Sequence, residues 1–340
     1  MSVGDGTDAE ETGTDYIAEF VADMRAYGKS PSTVYEYERV LRDFDEFLEN
    51  GGGTGERGHA DATRRDCMRY VAHMRQSDLS SSSVATYASY LHRFYAYLVK
   101  ADDYPHDTNP MALVTDEMDE GINKNPRRRE LTVEDVSEFM RTVNHPRDRC
   151  MLVVLFKTGM RAGELANLDL RHVSLSAEKD ERFGTGGDPL LNERSIYVDS
   201  ALEGNKRVRD TLVPVDDEVE RELVRWLRVR PDVTDDGREP LFVSLSPSAS
   251  GRLSSEAVAE AMRKYTRNHG WWSSDNDMRQ NVTPHYCRHF FTTYLRDASG
   301  DDALVRYLRG DTGGDILETY THNWGDRVRE KYEKFIYRLL

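Results

Sequence analysis

Three kinds of side chain suited to phosphoryl transfer occur in the second half of this 340-residue sequence. Arg161 lies in the segment TGMRAGEL, His285, Arg288 and His289 lie in HYCRH, and Tyr320 follows near the C-terminus. Guanidinium groups donate hydrogen bonds to phosphoryl oxygens, imidazoles carry protons, and a phenol hydroxyl can act as a nucleophile. Together these residue types predict attack on a phosphodiester without a metal ion.

The spacing of these residues is more specific than their types. His285 follows Arg161 by 124 residues. Asp311 follows Arg288 by 23 residues, and Tyr320 comes nine residues later. The order of arginine, hairpin lysine, HxxR, His or Trp, and tyrosine resembles the tyrosine recombinase and phage integrase family. Both later intervals and the segment ETYTH around the tyrosine are similar to those of Xer-type recombinases.

This resemblance implies both a fold and an activity. The implied fold is mainly α with a small β-sheet or hairpin, arranged as a two-domain, C-shaped DNA clamp: a helical, SAM-like core-binding domain and an α+β catalytic domain. The implied activity is site-specific recombination, which cuts and rejoins double-stranded DNA through a 3′-phosphotyrosyl intermediate and needs no nucleotide or metal cofactor. The implied assembly is a homotetramer on DNA that exchanges C-terminal helices, with a monomer allowed in solution.

The resemblance also implies a role for each residue of the set. Tyr320 attacks the scissile phosphate, while Arg161 and Arg288 hold the non-bridging oxygens and stabilise the developing charge. His285 accepts the proton from the tyrosine, with His289 assisting. The bond energy is kept in the phosphotyrosine until a free 5′-hydroxyl attacks it.

Two positions depart from the family pattern. In the segment LEGNK, Glu203 stands where Xer-like chains carry the catalytic lysine. We expect Lys206 to take this role through a shifted turn and to donate a proton to the leaving oxygen; a solvated lysine at a hairpin tip is the alternative. Asp311 stands in LRGD where relatives have the His or Trp of an LGH segment. Since an ionised Asp cannot donate a hydrogen bond to phosphate, we expect it to orient His289 or Arg309, or to cap a helix.

A zinc site is an alternative for His285 and His289, which stand at i and i+4. The zincin motif requires a Glu after the first His, whereas this sequence has Tyr286, and Arg288 would repel a cation. Three widely separated cysteines, Cys67, Cys150 and Cys287, form neither a disulfide framework nor a CxxC metal site. We therefore predict that the protein binds no metal.

Hydrophobic periodicity predicts the elements that must position these residues. Four helices are expected over 15–24, 34–47, 63–75 and 82–100. An apolar helix around 151–156 should end near Gly159, and Arg161 should begin the next helical turn. Glu164, three residues later, is expected to hydrogen-bond the arginine and turn its guanidinium towards phosphate.

The remaining site residues fall on a hairpin and a helix. The alternating stretches 194–198 and 209–215 predict a β-hairpin that carries Lys206 at its connecting segment. Thr283 and Pro284 are typical of an N-cap and first helical position, and they predict a helix that places 285, 288 and 289 on one face. The partial positive charge of a helix N-terminus suits an anion.

The domain boundaries follow from changes in composition. We expect a disordered acidic N-terminus over 1–14, a helical core-binding domain over 15–110, a linker over 111–130 and a catalytic domain over 131–340. The resemblance places DNA contacts on the first domain, where KSPSTV is similar to a frequent opening, and in the linker's arginine run. The expected DNA-binding residues are Ser30, Ser32, Thr33, Arg127, Arg128 and Arg129. A plain helical bundle with solvated polar residues is the alternative for the first domain.

The charge composition is unusual for a DNA-binding protein. The net charge is −15, and the sequence has 37 arginines but only nine lysines. Such a composition resembles proteins of salt-loving archaea, in which surface carboxylates maintain solubility, and it leaves room for a local arginine-lined face. An acidic mesophilic protein that does not bind DNA is the alternative.

The sequence also predicts where in the cell the protein is located. No apolar run approaches the roughly 18 residues of a membrane span, and the N-terminus lacks the features of a signal peptide, so a cytoplasmic, nucleoid-associated protein is expected.

Two other functions share the same residues. A type IB topoisomerase uses the same chemistry to relax supercoils, and Glu203 and Asp311 allow a DNA-binding regulator that has lost catalysis.

Overall fold

A computed structural model gives the structure of residues 15–55, 58–101, 104, 106–117, 128–246, 251–276, 279–311 and 324–340. Tyr320 and Arg127, both predicted to be functional, lie outside these ranges. The chain divides into two compact units, Met1–Pro126 and Arg127–Leu340. The predicted class, mainly α with a small sheet, is confirmed by the described elements. No helix among the described residues is long and apolar enough to cross a membrane.

The first unit contains the four helices that hydrophobic periodicity predicts, each started by a polar cap. Asp15, Ser30, Thr63 and Ser80 accept hydrogen bonds from backbone amides of the first turns. The helices bury one apolar face each around a shared aromatic core that includes Phe44 and Phe94. Their bounds are α1 Tyr16–Ala26, α2 Pro31–Phe47, α3 Arg64–Gln76 and α4 Ser81–Leu98.

Part of the segment predicted to be a linker is helical. Helix α5 covers Ala112–Glu117. Met111 and Val114 are buried with the other apolar residues of the first unit. Asn109 secures the approach to this helix, since its side chain donates to the His92 carbonyl and accepts from the Met111 amide. The first unit therefore extends beyond residue 110.

The second unit is built on helices and one small sheet. The helices are α6 Val133–Thr142, α7 Pro146–Thr158, α8 Ala162–Ala166, α9 Ala177–Phe183, α10 Asp217–Leu227, α11 Ser255–Asn268, α12 Pro284–Ser299, α13 Asp302–Arg309 and α14 Trp324–Phe335. Helix α7 lies at the centre of the unit and is apolar and buried from Cys150 to Phe156, as its sequence predicts. Helices α10, α11 and α12 pack against it.

The sheet has three antiparallel strands in the order β1-β2-β3, where β1 is Val173–Ser174, β2 is Ser195–Val198 and β3 is Thr211–Pro214. The pairing of Ile196 with Val213 confirms the predicted hairpin. Both residues are fully buried, so the hydrophobic pattern specifies the register. This pairing fixes the position of the segment that connects β2 to β3.

A buried lysine anchors the C-terminus to the core. Lys157 is 0% exposed; its ammonium lies 2.6 Å from the Asp216 carboxylate and 2.9 Å from that of Glu218. It also donates to the Tyr337 carbonyl. Glu218 accepts hydrogen bonds from the last two backbone amides, at 2.9 Å from Leu339 and 2.7 Å from Leu340. The last residues, and α14 before them, are thus docked on their own unit.

Candidate active site

Arg161 is placed by the turn that joins α7 to α8. Gly159 ends α7 with φ of +63°, and a Cβ at this position would lie only 2.5 Å from the Phe291 ring, so glycine is required. Arg161 is the N-cap of α8, and its guanidinium donates to Glu164 at 2.7 Å. The other oxygen of Glu164 accepts from the Arg161 amide at 3.1 Å. The predicted contact between these two residues is present and leaves the arginine side chain 31% exposed.

Arg288 is almost entirely buried and is held by backbone carbonyls. Helix α12 begins after the Thr283 cap, as predicted. The Arg288 side chain is 3% exposed and donates to the carbonyls of Gly159 at 2.8 Å and Arg309 at 2.9 Å. Burial, followed by the charges of Arg161 and Arg309, lowers its pKa to about 10, so it stays cationic at neutral pH. The carbonyls hold its side chain in one position without neutralising it.

Asp311 brings three arginines to one point. One of its oxygens accepts from Arg288 at 2.7 Å and lies 3.5 Å from Arg161. The other oxygen lies 2.8 Å from the Arg309 guanidinium. Of the two neighbours that the sequence suggested for Asp311, Arg309 contacts the carboxylate, whereas His289 forms a hydrogen bond with His285. Asp311 is 29% exposed, so this cluster reaches the surface.

A second buried ion pair ties the hairpin segment to α8. Arg207 is fully buried, and its guanidinium lies 3.1 Å from Glu164 and donates to the Leu308 carbonyl at 2.9 Å. Burial of Glu164 opposes its ionisation, but the charge of Arg207 and the hydrogen bonds from Arg161 outweigh burial and lower its pKa. Gly310 allows this approach, because a Cβ there would lie 2.7 Å from the Arg207 side chain.

Lys206 lies beside this buried arginine but is itself exposed. Asn167 fixes the turn before it, since its side-chain amide donates to the Glu203 carbonyl at 2.8 Å and to the Asn205 side chain at 2.9 Å. Glu203 is exposed as well. The buried Arg207 thus anchors the segment that connects β2 to β3, and the neighbouring Lys206 is exposed at the surface of that segment.

His285 and His289 form a pair on the exposed face of α12. Their Nε2 atoms are 2.9 Å apart, so one ring donates a hydrogen bond to the other. Partial burial, followed by the charge of Arg128, lowers the pKa of His289 to about 4, and the same two causes lower the pKa of His285. The pair is therefore neutral at pH 7 and can accept a proton. Among the described residues, no group of three or more His, Cys, Asp or Glu side chains could hold a metal ion.

The predicted DNA-binding arginines differ in their surroundings. Arg129 is engaged in structure: its Nε donates to the Gln280 carbonyl at 3.0 Å, and its own carbonyl accepts from the Tyr286 hydroxyl at 2.8 Å. Arg128 is half-buried, and its charge acts on the histidine pair. In the first unit, Ser30 caps α2, and its hydroxyl lies 3.2 Å from that of Ser32 and 2.8 Å from that of Thr33.

Sequence reasoning missed two members of this site, Arg207 and Arg309. Arg207 is hidden because a buried arginine in a polar hairpin segment has the same local pattern as a solvated one. Glu164 is fully buried in the structure, and Arg207 pairs with it there beside Arg161; the sequence carries no signal of this burial. Arg309 was named only as a neighbour that Asp311 could orient, although it directly precedes the Gly-Asp pair of LRGD.

Comparison with known families matches both units of the chain. Residues 129–326 match the phage integrase family, and residues 17–102 match the N-terminal SAM-like domain of phage integrases. The chain is 24% identical over 325 residues to tyrosine recombinase XerA of Pyrococcus horikoshii, covering 96% of this chain and 95% of the relative. It is 27% identical to tyrosine recombinase XerC of Lacticaseibacillus casei, covering 90% and 93%.

Solved structures share the fold. The integrase of transposon Tn1549, in complex with circular intermediate DNA, aligns with a TM-score of 0.64 at 18% identity and covers 94% of this chain and 99% of its own. A lambda integrase dimer bound to a COC′ core site aligns with a TM-score of 0.60 at 14% identity and covers 92% and 77%. At these identities the likeness concerns the fold.

The lowered pKa of His289 predicts a pH dependence of stability. In the folded state this ring has a pKa of about 4, whereas the ordinary pKa of histidine is 6.5. Between these two pH values the unfolded chain therefore binds more protons than the folded chain. The free energy of unfolding should fall as the pH is lowered from 6.5 to about 4, and His289→Gln should reduce this slope. Urea unfolding at a series of pH values measures it. An unchanged slope in the variant would contradict the shifted pKa.

Proposed function

This chain belongs to the phage integrase family and is a site-specific DNA recombinase, and from that premise we propose that Tyr320 cuts DNA through a 3′-phosphotyrosyl intermediate. The tyrosine oxygen attacks the scissile phosphorus, and the bond to the 5′-oxygen of the next nucleotide breaks. That oxygen leaves with a proton as a 5′-hydroxyl. Attack by the 5′-hydroxyl of a partner strand then reforms a phosphodiester and releases the tyrosine.

The observation that carries this proposal is the convergence of cationic groups on one carboxylate. Arg161 and Arg288 both lie within hydrogen-bond reach of Asp311. A carboxylate and a phosphodiester are both anions that accept hydrogen bonds through two oxygens. A preorganised pair of guanidiniums can therefore hold the non-bridging oxygens and stabilise the charge that builds up during attack.

The histidine pair supplies the proton acceptor in this proposal. His285 is exposed and faces its hydrogen-bonded neighbour His289. Since both pKa values are lowered, the pair is unprotonated at neutral pH and can take the proton of Tyr320. His289 assists by holding or sharing that proton. Lys206, exposed on the hairpin segment, is proposed as the donor to the leaving 5′-oxygen.

Binding of specific DNA sites involves both units in this proposal. Ser30, Ser32 and Thr33 at the start of α2 contact backbone phosphates, as does the arginine run 127–129. The Tn1549 and lambda integrases of similar fold are bound to DNA, which supports this role. Nucleoid association follows from such binding. The excess of arginine over lysine supports a halophilic host, in which the acidic surface serves solubility.

We propose a homotetramer on DNA formed by exchange of C-terminal helices. In the single chain, Glu218 anchors the two terminal amides and α14 buries Val328 and Tyr332 in its own unit. Exchange would transfer these contacts to a second copy with the same residues, so no contact type is lost. The family assignment does not favour a type IB topoisomerase or a regulator without catalysis.

Replacement of Tyr320 by Phe tests the nucleophile. The probe is a pool of nicked duplexes with randomised arms, from which the parent chain captures covalently bound members. Because phosphate contacts provide most of the affinity, Tyr320→Phe should bind the captured duplexes with a similar dissociation constant but form no covalent adduct on denaturing gels. Tyr337→Phe, which also removes one tyrosine hydroxyl, is the control and should keep forming the adduct. An adduct with Tyr320→Phe would refute the assignment.

The role of Lys206 is tested by changing the leaving group. Lys206→Ala should slow cleavage of the captured duplex by about 10² to 10⁴, the usual scale of general acid catalysis. A sulfur at the bridging 5′ position leaves without a proton, because a thiol has a pKa of about 8.5. This substrate should restore the variant to nearly the parental rate, whereas Arg288→Ala should remain slow on it. Failure of the sulfur substrate to rescue Lys206→Ala would mean that another residue donates the proton.

A further inference from the structure

The three guanidinium groups around Asp311 differ in how many hydrogen-bond partners they have. Arg288 donates to the Gly159 and Arg309 carbonyls as well as to Asp311. Arg161 has Glu164 as its closer partner, at 2.7 Å. Arg309 has the Asp311 carboxylate, and its buried Nε has no hydrogen-bond partner among the described residues. Arg309 is therefore the least fully hydrogen-bonded of the three among the described residues, and such a donor group calls for an explanation.

Arg309 is also built into the same scaffold as Arg288. Its backbone carbonyl accepts from the Arg288 guanidinium at 2.9 Å, while its side chain meets the carboxylate that the same guanidinium binds. Arg309 thus holds Arg288 in place through its backbone carbonyl, and its side chain adds a second cation beside it. The side chain is 25% exposed, so it can reach a bound molecule.

The charge of Arg309 acts on the reacting groups. It is among the charges that lower the pKa of Arg288, His285 and His289. Among the described residues, the carboxylates paired with the four arginines 161, 207, 288 and 309 are those of Glu164 and Asp311. Four positive and two negative charges leave two positive charges for an entering anion.

We propose that Arg309 is a catalytic residue that donates to the scissile phosphate and that Asp311 is the positioning residue that holds its guanidinium there. An ionised Asp cannot donate a hydrogen bond, so Asp311 cannot itself bind a phosphate oxygen. Arg309, two residues earlier in LRGD, is the donor, and Asp311 aligns it with Arg161 and Arg288. This inference rests on the proposed phosphotyrosyl chemistry.

Arg309→Ala and Arg306→Ala form a matched pair for the test. Both remove one cation from α13, but Arg306 is exposed and paired with Asp302 at 2.8 Å. On duplexes captured by the parent chain, Arg309→Ala should lower the cleavage rate by about 10² to 10³, the usual effect of losing one donor to a transition-state oxyanion. Arg306→Ala should cleave at the parental rate. Both should bind DNA with similar dissociation constants and unfold near the parental temperature.

A substrate with altered charge separates phosphate contact from structural support. Replacing one non-bridging oxygen of the scissile phosphate by methyl removes the charge that Arg309 is proposed to stabilise. On this methylphosphonate, the rate difference between the parent and Arg309→Ala should shrink to less than about tenfold, since the lost interaction is absent in both. A variant that was merely misfolded would stay equally impaired on both substrates.

A double-mutant cycle tests the positioning role of Asp311. Asp311→Ala should slow cleavage less than Arg309→Ala does, and the double variant should be no slower than Arg309→Ala alone, because the carboxylate acts through the arginine. Arg309→Lys should retain part of the rate as a point charge. Independent, multiplicative losses would overturn the positioning role.

Two further outcomes would refute either the role of Arg309 or the proposed function. If the parent chain forms an adduct while Arg309→Ala cleaves at the parental rate, or loses only affinity and to the same extent as Arg306→Ala, the inference about Arg309 is wrong and the proposed function stands. If the parent chain forms no adduct with any member of the duplex pool, the proposed function itself fails. The parental reaction therefore distinguishes the two failures.

Discussion

The burial of the Arg288 charge is the constraint on which the site depends. A guanidinium that is 3% exposed is costly unless its donors are satisfied. The carbonyls of Gly159 and Arg309 satisfy two of them, and both belong to helix ends, where carbonyls have no partner within the helix. The ends of α7 and α13 must therefore meet at α12. The glycine at 159 is part of the same requirement, since its left-handed conformation ends α7 against Phe291.

The Glu164–Arg207 pair extends this constraint to the hairpin. Both side chains are fully buried, and removal of either partner would leave an uncompensated charge, at a cost of about 3–5 kcal/mol. Glu164 binds Arg161 with its other oxygen, and Arg207 binds the Leu308 carbonyl. Glu164 and Arg207 thus connect Arg161, the hairpin segment and the end of α13. Arg161 and the segment that carries the exposed Lys206 are therefore held by Glu164 and Arg207, two side chains that are fully buried.

The sequence predicted the elements well because their signals are local. Periodicity located the four helices of the first unit and the buried part of α7 in the second, alternation located the hairpin, and Thr283 with Pro284 located the start of α12. The contact between Arg161 and Glu164 followed from their spacing on one helical turn. The partners of Asp311 could not be derived in this way, because they come from α8, α12 and α13. A sequence also does not distinguish a buried arginine such as Arg207 from an exposed one such as Arg306.

We infer that the arginine cluster is assembled before DNA binds and receives the phosphate without rearranging. A crystal structure of Tyr320→Phe bound to a captured duplex tests this directly. We expect non-bridging oxygens of the scissile phosphate about 2.7–3.2 Å from the guanidiniums of Arg161 and Arg288, with Arg288 still bonded to the carbonyls of Gly159 and Arg309. A scissile phosphate bound away from these arginines, or an Arg288 side chain released from both carbonyls, would contradict it.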